Sequence, residues 1–158
     1  MKPLNIEQVL RESHFFKDLD EKVIRKIASL GEIVSLKGGE HVFTQGDFGE
    51  KIYIIVNGFV LLERATDLGH RKGKVVIDAL GKGRFLGCWS TLLNEPHILM
   101  STASCQKPTT VISIRGADLR KIMLGDFEIG FRVMERLCFQ VQPRCVAAAC
   151  TAATMVWG

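Results

Sequence analysis

The chain has 158 residues, of which 47% are hydrophobic and 24% are charged, and its formal net charge is +4. These values lie close to the average of globular proteins and exclude a disordered, collagen-like or rod-like coiled-coil chain. A nucleic-acid-binding surface needs more positive charge with interleaved aromatic residues, so no nucleic-acid partner is expected.

The sequence also argues against a membrane or secreted protein. No apolar run reaches the roughly 20 residues that cross a bilayer, and the N-terminus lacks the apolar core of a signal peptide. Five cysteines are present, an odd number without a CxxC pair, so neither a zinc site nor a disulfide framework is predicted. We expect a reduced, cytoplasmic protein of one domain.

Residues 1–31 predict two short helices. Asn5 is placed to cap the first, with Gln8 three residues later as in a capping box, and Asp20 is placed to cap the second. The second helix carries an apolar stripe and stops at Gly31. The stripe consists of Val23, Ile24, Ile27 and Leu30.

Residues 32–115 change to short apolar runs separated by glycine-bearing turns, the texture of a small antiparallel β-structure. Asn57–Gly58 between two apolar runs is a strong β-hairpin signal. A short helix near Cys88–Leu93 interrupts the strands, and Cys105 falls where a strand needs a small core residue. The fold class is therefore mainly β with flanking helices, built as a jelly-roll-like β-roll.

Residues 116–158 predict a short helix over 117–124 and a longer one capped by Asp126. Apolar residues of the longer helix recur every three or four positions, which suits packing on the sheet or on a partner helix. These residues are Phe127, Phe131, Met134, Leu137, Cys138 and Val141. Pro143 is expected to end or kink this helix. The tail from Cys145 to Gly158 has no charged side chain and is either a packed helix or a segment that contacts a partner.

Three motifs carry a resemblance to a known family. Gln45–Gly49 with the strand Lys51–Val56 and Asn57–Gly58 is one, Gly83–Gly87 after Gly81 is the second, and Pro108–Ile114 is the third. Together they resemble the cyclic-nucleotide-binding domain of catabolite-activator and fumarate–nitrate-type regulators and of cAMP-dependent kinase regulatory subunits, over about residues 10–140. The resemblance implies a β-roll between N-terminal helices and a long C-terminal helix, and a phosphate-binding cassette at residues 83–103.

In this family, a glycine lets backbone N–H groups approach the ligand phosphate, a glutamate binds the ribose and an arginine pairs with the phosphate. Gly87 is retained, but Cys88 stands at the glutamate position. The arginine position holds His97 in one register and Leu99 in the other, with Met100 after it in place of a usual serine or threonine. Loss of a buried phosphate–arginine pair costs on the order of 2–5 kcal/mol, so the cassette is degenerate.

The resemblance gives a set of candidate ligand-binding residues. They are Phe85, Gly87, Cys88, Trp89, His97, Leu99 and Met100 of the cassette, and Phe131 and Met134 of the long helix, which in the family covers the ligand and forms the dimer. Alternatives stay open for several of them: Cys88 as a small filler or a redox-sensing thiol, and His97 as an exposed loop residue or a heme ligand. Core packing is the alternative for Leu99, Met100, Phe131 and Met134.

Catalysis is not expected. Four histidines are present, and they are scattered with no HxH pair, no Ser–His or Cys–His motif and no P-loop.

Three hypotheses follow: a regulatory module that binds cAMP or cGMP weakly, a repurposed heme, gas or redox sensor, or a structural protein-interaction module. We expect a stand-alone domain, because the sequence after the long helix leaves no room for the family's DNA-binding helix-turn-helix. Signalling would then pass through a homodimer formed by the C-terminal helix, or through a protein partner that the sequence does not identify.

Overall fold

Eight strands and four helices make up the described chain. The computed structural model describes residues 4–67, 69–70, 72–87, 92–95 and 97–157, and the side chains up to residue 146. The helices are α1 (Ile6–Glu12), α2 (Glu21–Ala28), α3 (Gly116–Gly125) and α4 (Phe127–Trp157). The strands are β1 (Glu32–Leu36), β2 (His41–Phe43), β3 (Lys51–Asn57), β4 (Val60–Asp67), β5 (Lys72–Leu80), β6 (Phe85–Gly87), β7 (Thr102–Cys105) and β8 (Thr109–Arg115).

The strands form two antiparallel sheets, which confirms the predicted β-roll with flanking helices. One sheet has the order β1-β8-β3-β6 and the other the order β2-β7-β4-β5. Tyr53 of β3 lies opposite Ser113 of β8 and Leu86 of β6, so β3 has a partner on each edge. Consecutive strands therefore often lie in different sheets, as in a roll.

Helices cover one face of the first sheet and form what we call the helix-side core. Ile52 and Ile54 of β3 and Ile112 of β8 are completely buried there against α1, α2, α3 and α4. Phe15 and Phe85 stack in this core, with ring centroids 4.6 Å apart and planes inclined by 10°. Burial on both faces explains why β3 is a continuous apolar run instead of an alternating one.

The space between the two sheets forms a second core, which we call the roll interior. Ile55 of β3, Val60 of β4 and Val111 of β8 are fully buried in it. Cys105 is only 1% exposed in the same core, which confirms its predicted packing role. Burial raises the pKa of its thiol, so Cys105 remains a neutral, small apolar side chain.

Helix capping follows the sequence closely. Asn5 Oδ1 accepts the Gln8 backbone N–H at 3.3 Å, and Asp126 Oδ1 accepts those of Glu128 and Ile129 at 3.0 and 3.2 Å. Asp20 is the N-terminal boundary residue of α2 as predicted, but its side chain makes no capping hydrogen bond. The buried stripe Val23, Ile24 and Ile27 of α2 is confirmed.

The hairpin predicted at Asn57–Gly58 is wrong. Gly58 does adopt a φ of +118°, in a turn that follows β3. However, β3 pairs with β8 and β6, whereas β4 pairs with β5 and β7 in the other sheet. Both edges of β3 are already occupied, so the turn passes the chain to the second sheet, and β4 forms its local pair with β5.

Of the two outcomes predicted at Pro143, the end of the helix is wrong, since α4 continues to Trp157, and the kink stays a prediction. Proline removes one helical N–H donor. Pro143 lies on the exposed side of α4, where water can satisfy the carbonyl that this donor would have bound.

The predicted apolar stripe of α4 divides between two faces. Its Leu137 is buried in the helix-side core beside Ile129 and Val133, which the prediction did not include. Phe127 is 80% and Phe131 68% exposed. The buried residues follow one another at steps of four. The prediction therefore located the helix correctly. Of its two alternatives for the stripe, packing on the sheet does not hold for Phe127 and Phe131, and packing on a partner helix stays a prediction.

Candidate functional site

A cavity of about 190 Å³ lies between the roll interior and α4. Its walls come from β2, β4, β5, β6, the segment 97–101 and α4. The apolar lining includes Phe43, Leu62, Ile77 and Leu86, and α4 contributes Val141, Arg144 and Cys145. A concave, mostly apolar site with a few polar groups is the usual form of a small-molecule pocket.

Four of the predicted ligand-binding residues line this cavity. Gly87, His97, Leu99 and Met100 come together there, although ten or more positions separate the first from the others in the sequence. Both positions at which the resemblance places the family's arginine, His97 and Leu99, therefore lie in the cavity wall. Cys88 and Trp89 lie outside the described residues, as does most of the short helix predicted at Cys88–Leu93.

Three other predicted residues do not line the cavity. The Phe85 side chain is 1% exposed in the helix-side core, stacked on Phe15, so only its backbone faces the cavity side. Met134 packs against the same core, and Phe131 projects from the opposite side of α4 to the buried residues. The part of α4 that lines the cavity begins further along, at Val141.

The backbone conformation at position 87 and its close neighbours require a glycine. Its φ is +121°, a region that side chains disfavour, and an added Cβ would lie 2.5 Å from the Lys51 carbonyl oxygen and 2.9 Å from Ile52 Cα. The glycine thus permits β6 to end closely packed on β3 at the cavity wall.

The segment at 97–99 is held by the Gln45–Gly49 turn. Leu99 N–H donates to the Asp47 carbonyl at 2.8 Å, and its carbonyl accepts from Gly46 N–H at 2.9 Å. His97 carbonyl accepts from Gly49 N–H at 3.1 Å. The first family-like motif therefore has a structural task, which is to fix the cavity wall that carries His97 and Leu99.

Sequence reasoning missed two arginines of the cavity, Arg64 of β4 and Arg144 of α4. The Arg144 side chain is only 13% exposed; its Nε donates to Asp78 Oδ2 at 3.0 Å and an Nη to the Phe85 carbonyl at 2.5 Å. Burial lowers the pKa of its guanidinium, while the Asp78 carboxylate acts in the opposite direction.

A signal for Arg144 was present in the sequence. Arg144 follows the buried residue Leu137 by seven positions, which is two helical turns, and so lies on the same face of α4 as Val133 and Leu137. The expected break at Pro143 concealed this continuation. Had the helix been extended, Arg144 would have been placed beside the roll.

Two kinds of feature are absent from the described residues. Within them, no group of three or more His, Cys, Asp or Glu side chains is arranged to hold a metal ion. No helix in the described part of the chain is long and apolar enough to cross a membrane.

Comparison with known proteins places these features in a family. The sequence model of the cyclic nucleotide-binding domain matches residues 33–126. Among solved structures, a putative cyclic nucleotide-binding protein from Geobacter metallireducens is similar in fold, with a TM-score of 0.72 and 22% identity over 90% of this chain and 99% of that one.

Two curated proteins are similar in sequence. Lysophospholipase NTE1 of Yarrowia lipolytica is 30% identical over 113 residues, which is 61% of this chain and 7% of that protein. The cAMP-dependent protein kinase regulatory subunit of Dictyostelium discoideum is 27% identical over 97 residues, 61% of this chain and 30% of that protein. The chain thus spans less than a third of the length of either relative. The family's sequence model matches more than half of the chain, and the two-sheet roll is the fold of the similar solved structure. The chain belongs to the cyclic nucleotide-binding domain family.

Proposed function

We propose that this chain is a non-catalytic regulatory module that binds a cyclic nucleotide, cAMP or cGMP, in the cavity beneath α4. The observation that carries this proposal is the convergence of Gly87, His97, Leu99 and Met100 on one cavity in a member of this family. The name of the Dictyostelium relative, a cAMP-dependent regulatory subunit, supports the choice of ligand class.

We propose further that the cassette itself binds weakly. Cys88 replaces the family's ribose-binding glutamate, and neither His97 nor Leu99 supplies a permanent positive charge. Loss of the phosphate–arginine pair alone lowers affinity roughly 30- to several-thousand-fold. Any charged contact to the phosphate then has to come from another part of the cavity.

The output proposed is a homodimer through α4. Its exposed side carries Phe127, Phe131 and Cys138, with the partly buried Met134 and Val141 next to them. These five positions alternate at steps of four and three, the period of a two-helix seam. Exposed apolar side chains of this size favour a covered surface, and a second copy presents the same seam.

Isothermal titration with cAMP and with cGMP tests the ligand proposal. Adenosine, which has no phosphate, and 5′-AMP, whose phosphate is not cyclised, are the controls. We expect saturable binding of at least one cyclic nucleotide. A dissociation constant below about 10 µM would show that the missing cassette side chains are compensated elsewhere. Absence of heat with both nucleotides would overturn the proposal.

The same preparation tests the sensor alternative, in which His97 and the apolar wall hold a heme. A purified protein with a Soret absorption band would support that alternative. A colourless protein that also binds no nucleotide would support the third hypothesis, a structural protein-interaction module.

A further inference from the structure

Helix α4 brings one arginine to the cavity wall. The Nε–H of Arg144 is bonded to Asp78, and one Nη–H is bonded to the Phe85 carbonyl. Arginine carries five N–H donors. Among the described residues, these two bonds leave three donors for an acceptor that enters the cavity.

The wall of the cavity is positively charged. Arg64 lines it together with Arg144, and within the described chain Arg64 forms no salt bridge. The described lining contains no aspartate or glutamate. Asp78, behind Arg144, is shared with Arg84, whose Nη2 lies 3.7 Å from the same Oδ2 atom. A positively charged, largely apolar cavity favours a ligand that carries an anionic group.

Burial makes the Arg144 charge costly. Removal from water destabilises a guanidinium unless an anion compensates it, and Asp78 has to compensate two arginines. An anion inside the cavity would share this role. A phosphate suits it well, because the planar guanidinium matches phosphate oxygens in a two-bond arrangement.

We propose that Arg144 is the residue that pairs with the phosphate of the bound nucleotide, a cation supplied by α4 in place of one from the cassette at 83–103. This inference rests on the proposed function. Asp78 already offsets part of the Arg144 charge, so it competes electrostatically with the ligand phosphate, which gains less from that charge while Asp78 is ionised. Binding would thereby be coupled directly to α4, the helix proposed to form the dimer.

The first test compares two arginines of α4. Arg144→Gln is expected to weaken binding of a fluorescent cAMP analogue at least tenfold. Arg132→Gln is the matched control, because Arg132 bonds to the Asp18 carbonyl and the Glu128 carboxylate away from the cavity. Its affinity should stay within twofold of the wild type. Equal binding by wild type and Arg144→Gln would overturn this inference and leave the proposed function intact.

A second test separates ligand binding from a merely structural clamp. If Arg144 only pins α4 to β5, then Asp78→Asn and Arg144→Gln both break the clamp and shift affinity in the same direction. If Arg144 binds the phosphate, Asp78→Asn removes its competitor and should strengthen binding about three- to tenfold. In the double variant Asp78→Asn/Arg144→Gln this gain should disappear, because the two residues act through one contact. A gain that persists in the double variant would contradict the proposal.

A third measurement distinguishes failure here from failure of the proposed function. Inorganic phosphate is titrated into the protein, and the Arg144 Nε–Hε signal is followed by NMR, assigned by its loss in Arg144→Gln. If no cyclic nucleotide binds but this signal shifts saturably, the anion site is supported and the nucleotide assignment is wrong. If neither nucleotide nor phosphate moves the signal, Arg144 is not an anion-binding residue.

Discussion

The helix-side core and the roll interior lie close together in the molecule, and they are filled differently. The helix-side core holds three completely buried phenylalanine rings, Phe15, Phe16 and Phe85, with fully buried isoleucines around them. Within the described chain, the roll interior has one buried phenylalanine, Phe43, and combines leucines with small side chains such as Ala103 and Cys105; at α4 it opens into the cavity. The first region is packed for stability, while the second keeps space for a ligand at the cost of some packing.

This difference predicts its largest effect at Phe85. Phe85→Ala removes a ring stacked on Phe15 from a filled core and should lower the free energy of unfolding by about 3–5 kcal/mol. Urea denaturation monitored by circular dichroism measures the loss. Phe131→Ala is the matched control, because that ring is 68% exposed, and it should change stability by less than about 0.5 kcal/mol. Similar losses in both variants would contradict the assignment of the two faces.

The second prediction concerns the cavity, where restoring the family's charged contacts should increase affinity. Cys88→Glu with His97→Arg is expected to strengthen cAMP binding by about 2–5 kcal/mol, with coupled effects of the two changes. Leu99→Arg should not increase the affinity for cAMP. Leu99 is only 8% exposed in the roll interior, and a guanidinium there would disrupt the packing. A fluorescent cAMP analogue, titrated into the folded single and double variants, measures the gains. If no variant improves even tenfold, the cavity is closed to nucleotides.

A third prediction compares equal deletions in the two regions. Leu62→Ala borders the existing cavity and should cost about 2 kcal/mol, the lower end of the range for such changes. Leu119→Ala removes a completely buried side chain of the helix-side core and should cost more. Chemical denaturation of both variants checks the order. A larger loss for Leu62→Ala would mean that the roll interior is the better packed region.

The smallest effect on stability is expected on the outer side of α4. Phe127→Glu with Phe131→Glu should abolish the proposed homodimer, while each monomer keeps its stability to within about 0.5 kcal/mol. Sedimentation equilibrium gives the mass, and denaturation gives the stability. A wild-type protein that is already monomeric would show that this seam binds another protein or none.

Much of the fold could be predicted because its signals are local. Asn5, Asp126 and the α2 stripe identified helices through capping and periodicity, and alternating glycine turns identified most strands. The family motifs were sufficient to indicate the cavity wall at Gly87, His97 and Leu99. The role of Cys88 and Trp89 stays a prediction.

The remaining features depended on contacts between distant residues. Asn57–Gly58 indicates a turn by its residue types, but strand pairing was decided by β8 and β6, which occupy both edges of β3. Pro143 indicates a helix end by its missing N–H, yet α4 continues along the protein past it. The same continuation places Arg144 beside Asp78 and the Phe85 carbonyl.

By itself, the sequence determined most of the helices and strands and the β-roll class, because these follow from periodicity, capping and the spacing of glycines over short distances. The family followed from the resemblance of three short motifs. Only the tertiary structure decided which face of α4 is buried, which sheet receives β4 and which arginine reaches the cavity. Each of these depends on space and partners supplied by residues far away in the chain. A local pattern can favour a helix or a turn, but it does not contain the position of its neighbours.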